Sequence, residues 1–149
     1  MNQLYSNIIE LIHESKYHEA KMWYDQLNES QRRDLVVEEA SLTDKMCIIG
    51  FVEFLISKEY TYFNHMLAAE VLIQMCWIEG AYNVSFYHAV EMYKLNPSID
   101  SKKFLLFFYD LPEKLLPEIF AIELATSIIK TDPYYIPARK ILQNHGKLE

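Results

Sequence analysis

The stretch GAYNVSFYHAVEMYKLNP, residues 80–97, decides the fold. It opens on Gly80, sets Tyr82, Ser85, Ala89 and Met92 at offsets 2, 5, 9 and 12 from it, and closes on Asn96-Pro97. Steps of three and four residues keep these side chains on one face of a helix. The small Ser85 and Ala89 leave room there for a second helix, while glycine and proline punctuate the ends. The same offsets recur on both sides. Ser15, Tyr17, Ala20, Tyr24 and Leu27 stand at 0, 2, 5, 9 and 12. Ala121, Ala125, Ile128 and Pro133 stand at 5, 9, 12 and 17 counted from Leu116, and Pro97 holds offset 17 in the central unit. Pro97 and Pro133 are 36 residues apart, and Tyr17 and Tyr82 are 65 apart, which leaves room for one degenerate unit between them. A repeated spacing of this length is the mark of stacked helical hairpins.

Periodic apolar residues extend the helices along the chain. Leu4, Ile8, Leu11 and Ile12 mark a first, and Ala20, Trp23, Tyr24 and Leu27 a second. Asn28 and Ser30 are cap types, and Ser30 can open a third toward Ser41. Asp44 can cap a fourth, from Lys45 to about Ser57. Glu59 to Trp77 reads as one long helix ending near Gly80, and Tyr82 to Leu95 as the next. Asp100 or Ser101 caps a short helix through Tyr109, which Asp110-Leu111-Pro112 breaks. Pro117 suits the first turn of a helix that reaches Lys130 before Asp132-Pro133. A last helix runs from Ile136 or Pro137 to Asn144, with Gly146 as its stop. The expected class is all-α with about nine helices and no strand, in one domain over residues 1–149.

Composition narrows the function. A chain of 149 residues can bury a core without disulfides or metal. Cys47 and Cys76 lie in apolar runs, so both are expected to be reduced core thiols, which fits a cytoplasmic location. The N-terminus has no early lysine or arginine, and Glu10 and Glu14 interrupt its apolar residues, so no secretory leader is expected. The longest apolar runs, Met46 to Val52 and Phe104 to Tyr109, fall far short of the roughly 20 residues that span a bilayer. No membrane partner is expected.

The net charge of −7 is unevenly spread. From Asp34 to Glu91 there are nine acids and only two bases, Lys45 and Lys58. The flanks, to Arg33 and from Met92, nearly cancel. An acidic middle argues against nucleic acid as a direct ligand, because phosphate binding needs lysine and arginine to displace counterions. It suits a basic protein, which its field would steer.

Signatures of catalysis are missing. With glycine only at 50, 80 and 146 there is no phosphate loop, dinucleotide fingerprint or nucleophile elbow. His88 and Glu91 share a helix face but lack a third ligand, and two ligands make a poor metal site. No spacing supports pairing Cys47 with His88 or His13. Glu10, Glu14 and His18 form a stripe that reads as a solvated face. Phe104, Phe107 and Phe108 read as core. No enzyme, cofactor or metal is therefore expected. Aromatics beside acids make good interface anchors. The candidate partner-binding residues are Glu38, Glu39, Asp44, Glu53, Glu59, Tyr60, Tyr62, Glu70 and Trp77. Tyr134-Tyr135 is a second aromatic pair, after a helix stop.

The recurring small–aromatic–small spacing with a closing proline resembles the tetratricopeptide repeat. That resemblance implies helical hairpins stacked as a short solenoid. It departs from the family in that Leu4 and Ala69 stand where an early tryptophan is usual, and the first unit lacks its proline. A second resemblance covers roughly the C-terminal half. Ile78-Glu79-Gly80-Ala81-Tyr82, His88-Ala89-Val90-Glu91, Phe104-Leu105-Leu106-Phe107-Phe108-Tyr109 and Leu111-Pro112-Glu113-Lys114-Leu115-Leu116 look like segments of small helical bacterial immunity proteins. Those proteins accompany secreted competition toxins, often nucleases. The resemblance implies a non-catalytic inhibitor whose partner is a basic toxin domain. The alternative it leaves is a general tetratricopeptide adaptor that binds a peptide or protein.

Overall fold

A computed structural model describes residues 3–148. Nine helices and no strand occur among the described residues: α1 (Gln3–His13), α2 (Tyr17–Tyr24), α3 (Glu29–Leu42), α4 (Cys47–Lys58), α5 (Tyr62–Gln74), α6 (Ala81–Leu95), α7 (Ile99–Phe107), α8 (Glu118–Thr131) and α9 (Ile136–Asn144). The all-α expectation holds, and each helix falls within a few residues of its periodic segment. No helix among the described residues is long and apolar enough to cross a membrane. The chain forms two compact units, Met1–His88 and Ala89–Glu149.

Helix starts follow local capping chemistry. Asn28 accepts from the Gln31 backbone N–H while the Gln31 side chain accepts from the Asn28 N–H, a reciprocal capping box. Asn28, not Ser30, therefore opens α3. Thr61 caps α5 and Ser98 caps α7, each accepting from the N–H three residues on. That displaces two expectations. The helix read over Glu59 to Trp77 is shorter at both ends: Asn64 donates to the carbonyls of Leu55 and Glu59, closing the end of α4, and α5 runs only from Tyr62 to Gln74. Asp100 and Ser101 lie inside α7, where the Ser101 hydroxyl bonds the carbonyl of Asn96. Asp44 caps nothing, because α4 starts only at Cys47.

In unit 1, α1 and α2 form a hairpin and both pack on α4, which pairs with α5. α3 lies chiefly against α5. The core gathers Ile8, Ile12, Tyr24, Val36, Ile48, Phe51, Val52 and Leu67, all essentially without solvent contact. Each such aliphatic side chain contributes about 1.5–3 kcal/mol of burial free energy. In unit 2, α7, α8 and α9 pack in sequence around Leu106, Phe108, Ala121, Ala125, Ile128 and Leu142.

The repeat register is a packing register. Offset 5 carries Ala20, Ser85 and Ala121, each 0% exposed. Offsets 9 and 12 carry Tyr24, Ala89, Ala125, Leu27, Met92 and Ile128, all buried. The turn position agrees in two units: Ser15 and Gly80 both take left-handed φ, 56° and 81°. In the third, the left-handed residue is Lys114 (φ 47°), two before Leu116.

Two core expectations fail. Cys76 is exposed and Cys47 only partly buried, because α5 ends before Cys76 and the following turns turn it outward. Phe107 is 42% exposed, since only Phe108 of that run faces inward completely.

Candidate functional site

The charge asymmetry coincides with the division of the chain. Residues 1–88 hold thirteen acids and six bases; residues 89–149 hold eight of each. The whole net charge of −7 belongs to unit 1, and so do all nine candidate partner-binding residues.

The structure sorts those nine by what already engages them. Glu38 and Asp44 are exposed, and neither forms an ion pair among the described residues. Tyr60 and Trp77 are 52% and 60% exposed. Glu59 is exposed, with Lys21 Nζ at 3.8 Å. Glu39, Glu53 and Glu70 instead bind within the unit, and Tyr62 is half-buried. Glu70 on α5 takes both Nε (2.8 Å) and Nη2 (3.0 Å) of Arg33 on α3, a two-point clasp that pins the two helices. Beside it lies a shallow groove of about 520 Å³ lined by Glu29, Ser30, Arg33, Thr61, Tyr62, Phe63 and Met66.

Glu39 closes a second junction. Its carboxylate is 2.7 Å from His13 Nε2, and Lys45 Nζ is 3.0 Å from His13 Nδ1. An ammonium can only donate, so Nδ1 accepts and Nε2–H donates to Glu39. Glu10, Glu14 and Glu39 line a groove of about 390 Å³ here with His13. The expected Glu10–Glu14–His18 stripe is broken, because α1 ends at His13 and His18 packs edge-on against Phe54.

The third junction is a chain of three. Glu53 Oε1 on α4 is 2.8 Å from His88 Nε2 on α6, and His88 Nδ1 is 3.0 Å from His65 Nδ1 on α5. The rings are 2% and 1% exposed, while the Glu53 side chain stays 46% exposed. Tyr60 packs edge-on against His65 and Tyr87 against His88. The hydrogen bond from His88 holds the Glu53 carboxyl below its ordinary range, with attraction to both imidazoles adding to it and partial burial opposing. Glu91, on the same helix as His88, binds Lys94.

Sequence reasoning singled out Glu39, Glu53 and Glu70 but not His13, Lys45, Arg33, His65 or Tyr87. Apart from Tyr87, which packs on the adjacent His88, their partners lie 20 to 40 residues away, so no spacing announces them. Among the described residues, no group of three or more His, Cys, Asp or Glu side chains could hold a metal ion. No protein-family model, no curated protein and no solved structure matches the chain.

Proposed function

We propose that this chain is a non-catalytic binding protein whose acidic unit 1 receives a basic protein partner. The observation that carries the reading is the placement of all seven net negative charges in residues 1–88, where Glu38, Asp44 and Glu59 are exposed and so are Tyr60 and Trp77. Such a field raises encounter rates with a cation, and half-exposed aromatics supply the anchors that give a complex its lifetime. In its sharpest form the partner is a toxin domain, a nuclease whose phosphate-binding surface the acids cover. That form draws on the resemblance to small helical immunity proteins, with tetratricopeptide-like hairpins as the scaffold and the cytoplasm as the place of action.

Glu39 and Glu53 are tied to His13 and His88, so reversing them would disturb packing as well as field. The discriminating variant therefore reverses only Glu38, Asp44 and Glu59 to lysine. It is co-expressed with a cognate nuclease toxin domain and compared with reversal of Asp110 and Glu113 in unit 2. The expected result is that the first set loses protection and association rate while keeping its helical spectrum, and the second set retains protection. The rate for the unaltered chain should fall several-fold between low and physiological salt, where charges are screened over about 8 Å. Full protection by the first set with salt-independent association would refute the acidic-surface reading.

The groove beside Arg33, Tyr62, Phe63 and Met66 favours a second reading, an adaptor that holds an extended peptide. Met66→Glu would abolish peptide capture under that reading and leave toxin protection intact under the first.

A further inference from the structure

α1 packs on α2 and α4, with Ile8 and Ile12 turned into the core. Ser6, Ile9, Glu10 and His13 follow one another at steps of three, one and three residues and so share a different face of the helix. The groove of about 390 Å³ opens between that face and Glu39 of α3, and the His13–Glu39 bond ties its two sides together. Lys45 reaches the His13 ring from the loop between α3 and α4, which fixes that loop at the His13 end of the groove. The same loop displays apolar surface. Leu42, the last residue of α3, is 81% exposed, and Met46, just before α4, is 58% exposed. No other large apolar side chain described in residues 1–88 is as open to water as Leu42.

The charge around this apolar surface selects its occupant. Lys45 is held on His13 and Lys16 on Glu14. Glu10, Glu38 and Asp44 are exposed and form no ion pair among the described residues. Nucleic acid would meet these carboxylates with its own negative charge. A second copy of the chain would bring the same acids and be repelled. A purely apolar segment would desolvate the carboxylates without pairing them. A segment that is basic and apolar together satisfies both parts of the surface.

We propose that the groove between α1 and α3, with the α3–α4 loop, is the docking surface for a basic amphipathic segment of a protein partner: its lysine or arginine meets Glu10 and Asp44, and its large apolar side chains seat against Ile9, Leu42 and Met46. The inference rests on the partner-binding reading and gives that reading a place of contact. The Glu39–His13–Lys45 chain joins α1, α3 and the loop, so the surface is organised before the partner arrives. Glu59 stands beyond the other end of α4, whose 12 residues span about 18 Å. It adds to the field and takes no part in the contact.

The test is nuclear magnetic resonance of the full chain labelled with ¹⁵N, titrated with three synthetic helical peptides blocked at both ends. The first is built of leucine and lysine, with leucine along one face. The second has serine for every leucine, and the third glutamate for every lysine. The first should bind about tenfold more tightly than the second, and the third should not bind. Amide shifts with the first peptide should centre on Ile9, Glu10, Glu14, Leu42 and Met46. Leu42→Ser with Met46→Ser keeps every charge, and should lose about tenfold in affinity for the first peptide and nothing for the second. Glu10→Gln with Asp44→Asn should weaken both lysine peptides, while Glu59→Gln should stay within about threefold of the unaltered chain. The altered side chains are exposed, so helical spectra should be unchanged; the shift map of the unaltered chain decides even if a variant fails to fold. Shifts centred elsewhere, as on Tyr62, Phe63 and Met66, would overturn this surface and leave the acidic-partner reading standing. Equal affinity for the leucine and serine peptides would likewise overturn it, since field alone would then act. Absence of any salt-dependent shift with either lysine peptide would overturn both.

Discussion

The Tyr17 hydroxyl crosses the face of α4 at Gly50: it donates to the Cys47 carbonyl at 2.9 Å and occupies the space where a Cβ on residue 50 would lie. Gly50 is thus a helical glycine retained for close approach. Alanine would gain about 1 kcal/mol of helix propensity there. It would also drive the Tyr17 ring out of its contacts with Phe51 and Phe54. We expect Gly50→Ala to be net destabilising by about 1–3 kcal/mol, the usual cost of overpacking. Adding Tyr17→Phe should recover only part of that loss, because the ring carbon that bears the hydroxyl is itself close to the site. Urea unfolding of the single and double variants checks both statements. Unchanged stability in Gly50→Ala would mean that Tyr17 swings aside freely.

Ala89 and Ala125 hold the same repeat offset and are 1% and 0% exposed. Enlarging either to leucine inserts three carbons into a closed contact. Each substitution should cost about 1–3 kcal/mol in thermal or chemical unfolding. Neutral outcomes at both positions would show that the neighbouring helices yield, and that the register is not one of close packing.

Left-handed backbone makes a different prediction at the turns. Ser15 and Lys114 carry side chains at φ 56° and 47°, a conformation that costs an L-residue about 1–2 kcal/mol. Glycine removes that strain but adds chain entropy to the unfolded state, about 0.5–1 kcal/mol. Ser15→Gly and Lys114→Gly should therefore each stabilise modestly, by up to about 1 kcal/mol. Gly80→Ala should destabilise by up to about 1 kcal/mol, the same strain less the same entropy, since nothing lies within 4 Å of the added Cβ. Melting temperatures moving in the same direction for all three would contradict this account.

His145 at the end of α9 bonds the Glu118 carboxylate at the start of α8 through Nε2, and the Ile141 carbonyl through Nδ1. Both ring nitrogens donate, which suits the imidazolium. The bond to Glu118 raises the histidine above its ordinary value, with the Ile141 carbonyl adding to the effect. A raised folded-state value means that the contribution to stability is full below the open-chain pKa of about 6.5. It is lost as pH climbs through the folded value. Glu118→Gln should bring the His145 titration back toward about 6.5. It should also flatten the fall in unit 2 stability between mildly acidic and mildly alkaline solution. An unchanged His145 titration in Glu118→Gln would assign the shift to the helix end alone.

Where helices start and stop could be read from the chain because capping is local. Pro97, Gly146, Asp132-Pro133 and the run Asn28–Gln31 act on their own neighbours within four residues. Of the misplaced caps, Asp44 lies two residues before the N-cap Met46 of α4, and Asp100 has the right chemistry beside a better competitor. Ser98 wins over Asp100 because it sits where the chain is still extended. The repeat offsets likewise proved to be burial positions, since spacing along a helix dictates which face a side chain occupies.

What the chain by itself determined is thus its class, its helices, the small residues on which they close and the excess of acid in its first 88 residues. Only tertiary structure decided which acids are exposed and which are spent. Glu39, Glu53 and Glu70 read like Glu38 and Glu59 in a sequence, yet His13, His88 and Arg33 reach them from 26, 35 and 37 residues away. Tyr17 over Gly50 and His65 against His88 are meetings of the same kind. Helix propensity, capping and amphipathic period act over three or four residues, whereas these pairings depend on how whole helices pack against one another, and no local interaction encodes that.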